Sequence, residues 1–248
     1  MRITRFARTL AVVALATASL TGCNSTQTVQ RLCTDPLASA FAALEAGKPL
    51  EAGTHSGVQA NVNAQELATC TSEALGQLKG YREETIKNGE VQSQSRVNIS
   101  PLKVNMVMKA ELPNHLEEVI LIEGFAFAKV DGQWIEVTED AADPTIRSLL
   151  NLPKSFQTQF NPKLRAAGTD PAIIYNLVGT GKALGQPVLI LEAKIANGTD
   201  SYTSRYYLNK DYVLLRSEAV SSSGTTTSQL TDVDVPQTIT NPLLPAKK

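Results

Sequence analysis

Apolar positions along this chain follow two spacings, which divide it into two kinds of structure. From Leu37 to Leu78 they recur every three or four residues, as on one face of a helix. From Tyr81 onward they recur at every second residue, the period of a half-buried strand. A first helix is predicted over 34–46, with Thr34 or Asp35 as cap, Pro36 at its first position, and Gly47 and Pro49 beyond its end. Residues 48–62 read as a loop. A second helix is predicted over 63–79, with Asn63 and Glu66 spaced as a capping box and Gly80 as terminator. Leu67, Cys70, Ala74 and Leu78 share its inward face.

The strand region is long. Asn88-Gly89 and Asp131-Gly132 are hairpin signals. Between them alternate 90–99, Val104-Met106-Met108, 116–124 and 125–130, with 133–137 following. Residues 139–172 break the period: Asp143-Pro144 reads as a helix start, with Ile146, Leu149, Leu150, Leu152, Phe156 and Phe160 at helical spacing. Strands then resume over 173–182, 187–196, 202–208, 212–221 and 226–235. Their turns are marked by Gly185, Asn197-Gly198, Asn209-Lys210-Asp211 and Ser223-Gly224. Consecutive strands on short turns predict an antiparallel meander. Several are apolar on both faces, notably Val119-Ile120-Leu121-Ile122 and Val188-Leu189-Ile190-Leu191. That pattern suits either a doubly covered central strand or a sheet whose inner side lines a cavity.

The first residues belong to neither class. Arg2, Arg5 and Arg8 precede an uncharged apolar run from Thr9 to Leu20, and Leu20-Thr21-Gly22-Cys23 follows. The run is about a dozen residues, short of the roughly 20 needed to span a bilayer. This order reads as a signal peptide over 1–22 ending at a lipobox, with Cys23 the lipidated (palmitate-bearing) residue. Residues 23–30 read as a polar tether, 31–242 as one domain and 243–248 as a loose tail. Of the 248 residues, 23 are basic and 24 acidic; removal of the three leader arginines leaves a net acidic remainder. No basic stripe suggests nucleic acid.

Cys33 and Cys70 remain as an even pair. In an oxidising compartment they are expected to form a disulfide, which would close a loop of about 37 residues and contribute roughly 3–4 kcal/mol; the other reading is two independent buried thiols. Chemistry is otherwise sparse. His55 and His115 read as loop histidines without metal-ligand spacing. Gly179-Thr180-Gly181 reads as a bulge or close-packing point rather than a phosphate cradle. Glu83-Glu84 and Glu117-Glu118 are strand neighbours that point to opposite faces, so neither is an acid–base pair. No enzyme, cofactor or metal is expected.

The order of leader, tether, helix, meander, helical crossover and closing meander resembles the LolA/LolB lipoprotein-carrier fold, closest to LprG/LppX-type lipoproteins of actinobacteria. The resemblance covers about Asn63 to Pro242. It rests on Phe125-Ala126-Phe127-Ala128-Lys129-Val130-Asp131-Gly132-Gln133-Trp134, on Tyr206-Tyr207-Leu208-Asn209 and on Leu214-Leu215-Arg216; the extra N-terminal helix and the Cys33/Cys70 pair depart from it. The resemblance implies an α+β fold: a strongly curved antiparallel β-sheet, a half-barrel, wrapped around helices, here with an N-terminal helical pair. It implies noncovalent binding of acyl chains of lipids or lipoproteins in an apolar pocket, and their carriage without turnover. The implied pocket candidates are Val104, Met106, Met108, Leu121, Phe125, Phe127, Ile190 and Tyr206. The alternative is a non-carrying envelope lipoprotein acting as adaptor or assembly factor through protein contacts. Either is expected in the cell envelope, lipid-anchored through Cys23 on the extracytoplasmic side: on the outer membrane in a diderm that sorts lipoproteins, otherwise on the cell membrane.

Overall fold

The computed structural model describes residues 32–48, 61–109, 115–197 and 200–244. The leader, Cys23, the tether and His55 lie outside them. Helix α1 (Ala38–Glu45) begins later than the sequence predicts. Asp35 adopts a left-handed φ of 55°, and its carboxylate accepts the Tyr212 hydroxyl at 2.7 Å instead of capping the helix. The Leu37 amide donates to the same hydroxyl oxygen at 2.8 Å. Tertiary contacts thus take over the role foreseen for a local cap.

Strand β1 (Asn61–Asn63) occupies the end of the foreseen loop, and Asn63 caps α2 (Ala64–Gly76) by accepting the Gln65 amide at 2.7 Å. The reciprocal half of the capping box is not made, because the Glu66 carboxylate accepts the Thr34 hydroxyl. Gly80 does not end the helix. It opens β2, where a Cβ would lie 2.5 Å from the Val97 carbonyl oxygen, so only glycine permits the chain to pass.

Strands β2 (Gly80–Lys87), β3 (Glu90–Asn98), β4 (Lys103–Met108), β5 (Leu116–Ile122), β6 (Phe125–Val130) and β7 (Gln133–Glu136) form the first meander. The insertion holds α3 (Pro144–Ser148), a single 3-10 turn, α4 (Leu152–Phe160) and α5 (Pro162–Ala167). Asp143 caps α3 through the Thr145 amide, and Asn161 caps α5 through the amides of Lys163 and Leu164. Strands β8 (Ile174–Ala183), β9 (Gln186–Asn197), β10 (Asp200–Leu208), β11 (Leu214–Ser221) and β12 (Gly224–Thr231) form the second meander.

The two meanders join where β12 pairs with β2, giving one open twelve-stranded antiparallel sheet in the order β1-β8-β9-β10-β11-β12-β2-β3-β4-β5-β6-β7. The sheet is curved and wraps around the helices. Asn88-Gly89 and Asp131-Gly132 make two-residue turns with both φ values positive, the hairpin geometry that matches strand twist. Glu123-Gly124 and Leu184-Gly185 do the same. The β8–β9 register shifts between Leu177 and Gly179, which places a bulge beside Gly179-Thr180-Gly181.

Two clusters fill the inner face. One joins Leu37 and Phe41 of the first helical segment and Leu67 and Cys70 of α2 to Leu189, Leu191 and Leu208. The other joins Tyr81, Val97, Val104, Leu121, Leu215 and Leu230 to the helical insertion. Within the first, Cys33 and Cys70 are disulfide-bonded with Cα atoms 4.6 Å apart. A third cluster lies on the outer face, where Ile239 of the tail covers Ile120, Ile122 and Phe127 beside Trp134. The two-sided apolar pattern of β5 is therefore that of a doubly covered strand. Asn98 and Gln237 hold the tail there by a reciprocal pair of bonds at 2.7 Å.

Candidate functional site

Strand alternation sorts the pocket candidates by face. Val104, Met106, Met108 and Leu121 point inward: Val104 pairs with Val97 and Leu121, and Met106 with Ser95 and Val119. Val104 and Leu121 are buried in the core, and the two methionines are half-buried. Tyr206 is also on the inner face, stacked on Tyr175 with ring centroids 4.7 Å apart. Phe127 lies on the outer face under the tail, and Phe125, on the same side, is 55% exposed. Ile190 pairs with Tyr207, whose hydroxyl donates to Glu218 on the outer, charged side. The structure thus brings together Val104, Met106, Met108 and Leu121, sets Tyr206 apart in the neighbouring cluster, and leaves Phe125, Phe127 and Ile190 behind the sheet. The physical reason is register: Leu121 pairs with Ala126, so Phe125 and Phe127, one residue to either side, fall on the opposite face.

Above the inward group lies the helical insertion. Leu150, Leu152, Phe156 and Phe160 pack on the core only partly buried, as do Ile99, Leu102 and Met108 of the sheet side. A seam of incompletely covered apolar side chains therefore runs between the insertion and the inner strands.

Beside it, between α2, α5 and strands β2, β11 and β12, is a recess of about 210 Å³. Its roof includes Ser72 and Leu75, and its floor is polar: Tyr81, Glu83, Ser217 and Ser228. Ser72 is engaged, donating to the Gln159 carbonyl at 2.6 Å. The Ser228 hydroxyl donates to the Glu83 carboxyl. Tyr81 is fully buried, and its hydroxyl has no hydrogen-bond partner among the described residues. Burial pushes the Tyr81 phenol far above its ordinary value, with Glu83 adding to the effect. Burial likewise raises the Glu83 carboxyl, against a smaller opposing effect of the Ser228 bond. This recess is smaller and more polar than the apolar cavity of several hundred Å³ that a preformed acyl site would need.

Glu84, the neighbour of Glu83, points to the outer face and accepts Gln94 at 2.6 Å. A second cleft, about 490 Å³ and open, lies beside the disulfide and is lined by Asp35, Glu73, Asp211 and Asp234 among others. His115, at the start of β5, is exposed. Glu83 was weighed from sequence only with Glu84, as strand neighbours facing apart, and Tyr81 was not named as a site residue, although a carboxylate in phase with an aromatic core residue along one strand is a readable signal.

The chain is similar in fold to two mycobacterial proteins. These are lipoprotein LppX of Mycobacterium tuberculosis (13% identity, 71% of this chain and 98% of that one, TM-score 0.47) and LprF of Mycobacterium bovis (14% identity, 72% and 96%, TM-score 0.47). A hypothetical protein of Chlamydia trachomatis is also similar (11% identity, 75% and 99%, TM-score 0.36). No family model and no curated protein matches the chain. No helix among the described residues is long and apolar enough to cross a membrane.

Proposed function

We propose that this chain is an envelope lipoprotein, anchored through Cys23, that holds acyl chains of lipids or lipoproteins between its helical insertion and the inner face of its sheet, and carries them without turnover. The observation that carries this reading is the seam. Phe156, Phe160, Leu150 and Leu152 of the insertion and Met108, Ile99 and Leu102 on the sheet side all pack against one core cluster while staying only partly buried. An acyl chain inserted there completes the burial of both sides, at about 25 cal/mol per Å² of apolar surface removed from water. Methionine, with its flexible thioether, adapts to chains of different shape. The anchor rests on the order of basic residues, apolar run and Leu20-Thr21-Gly22-Cys23, and the outer membrane is its place if the host is a diderm.

The small enclosed volume favours a second reading, an adaptor working through protein contacts. One experiment separates them: native mass spectrometry of the exported Cys23→Ser protein, followed by lipid extraction. A co-purified lipid near one-to-one is the expected result. Empty protein that also takes up no fluorescent fatty acid overturns the carrier reading and leaves the adaptor.

A further inference from the structure

An orphaned hydroxyl in a folded core is rare, because a buried polar group without a partner destabilises the fold by about 1–3 kcal/mol. Tyr81 is 0% exposed, unpartnered among the described residues, and lines the recess of about 210 Å³ under α2 and α5. Three further hydrogen-bonding groups share that floor: the Glu83 carboxyl, bonded to Ser228, and the Ser217 hydroxyl. The recess also touches Leu75 and Leu230, residues that pack in the same cluster as Phe160 and the seam. The polar floor therefore borders side chains of the same apolar cluster to which the insertion's partly buried residues belong.

We propose that this recess receives the uncharged, hydrogen-bonding end of an amphiphile, a hydroxyl, ester or amide, whose chain continues into the seam. The proposal rests on the acyl-binding reading above and adds to it the chemistry of the head group. Tyr81 offers both a donor and an acceptor, and the Glu83 carboxyl adds a second polar contact next to it. An anionic head group is disfavoured, since it would bring a second negative charge beside a recessed carboxyl. Arg165, exposed at the rim of the recess, is placed to meet charge only where water still reaches.

The test uses the full mature chain bearing Cys23→Ser, loaded with diphenylhexatriene as a hydrocarbon probe with no head group. Monooleoylglycerol and oleoyl lysophosphatidic acid, which share chain and glycerol and differ by the phosphate, are compared as displacers. Monooleoylglycerol is expected to displace the probe about tenfold better. Tyr81→Phe and Glu83→Leu are each expected to weaken monooleoylglycerol by roughly fivefold to tenfold, the equivalent of one hydrogen bond, while probe uptake stays at the wild-type level. Tyr81→Phe is nearly isosteric, so it keeps the measurement open if Glu83→Leu does not fold. Equal displacement by the two lipids overturns the proposal. So does unchanged monooleoylglycerol affinity in Tyr81→Phe, the outcome if trapped water alone satisfies the hydroxyl. In both cases retained probe uptake leaves the acyl reading standing. Absence of probe uptake in every variant removes the acyl reading and the proposal together.

Discussion

Leu184 shows how a single residue can work against the fold it sits in. It occupies the first position of a two-residue hairpin turn with φ of 51°, where a branched side chain is strained and asparagine is favoured. It is 48% exposed, so little packing offsets the strain. Leu184→Asn is expected to stabilise the protein by about 0.5–1 kcal/mol, read as a higher urea midpoint with unchanged slope. Glu83 carries the opposite kind of tension. Its carboxyl is raised by burial, so folded and unfolded chains are both protonated at low pH and burial then carries no charge penalty. As pH rises through the ordinary carboxylate value of about 4.3, the unfolded chain releases its proton first. Stability falls until the folded value is passed, beyond which the loss is complete. Glu83→Gln removes this dependence. The urea midpoint of the variant is expected to exceed that of the wild type by a margin that widens from acid toward neutral pH, and a constant margin contradicts the account. Of these two residues the sequence showed only parity: Glu83 and Glu84 were legible as facing apart, but which one faced inward depended on partners far along the chain, Ser228 and Gln94.

At the scale of elements, local signals were read well and tertiary substitutions were not. The Asn88-Gly89 and Asp131-Gly132 turns form as the sequence indicates because both residues of each adopt positive φ. The helix boundaries moved because Tyr212, more than a hundred residues away, captured Asp35 and the Leu37 amide, and Thr34 captured Glu66. The Cys33–Cys70 bond holds the chain entering α1 to the middle of α2. Its loop of 37 residues predicts a loss of roughly 3–4 kcal/mol in the Cys33→Ser/Cys70→Ser double variant, measured by urea unfolding. A loss below about 1 kcal/mol would mean that cluster packing alone holds α1 in place. The tail was expected to be loose over 243–248, and a few residues before it Gln237 and Ile239 are buried on the outer face of β3, β5 and β6. Nothing local distinguishes them, since their partners Asn98, Ile120 and Phe127 are brought there by the sheet.

For the whole molecule, the outer face over β9–β11 carries paired charges, with Arg205 bound to Glu192 at 2.7 Å and Arg216 to Glu218. On the proposed reading, membrane attachment depends on the lipid at Cys23. Cys23→Ser is expected to move the protein from the membrane pellet to the soluble fraction after cell breakage and to abolish incorporation of labelled palmitate; continued pelleting in both tests would discard the anchor. The curved sheet around helices was legible because strand period and turn chemistry agree along most of its length. The candidate site was less so, because its faces and its recess depend on how two meanders join one another through β12 and β2.

Among the described residues the sheet ends in two short strands, β1 at Asn61–Asn63 and β7 at Gln133–Glu136. Beyond its pairing with β1, the register of β8 shifts after Leu177. On the proposed reading these molecules are tethered to one surface, where they meet edge to edge far more often than in solution. Short and bulged margins disfavour such pairing, which would keep the layer a fluid of separate molecules instead of a continuous ribbon.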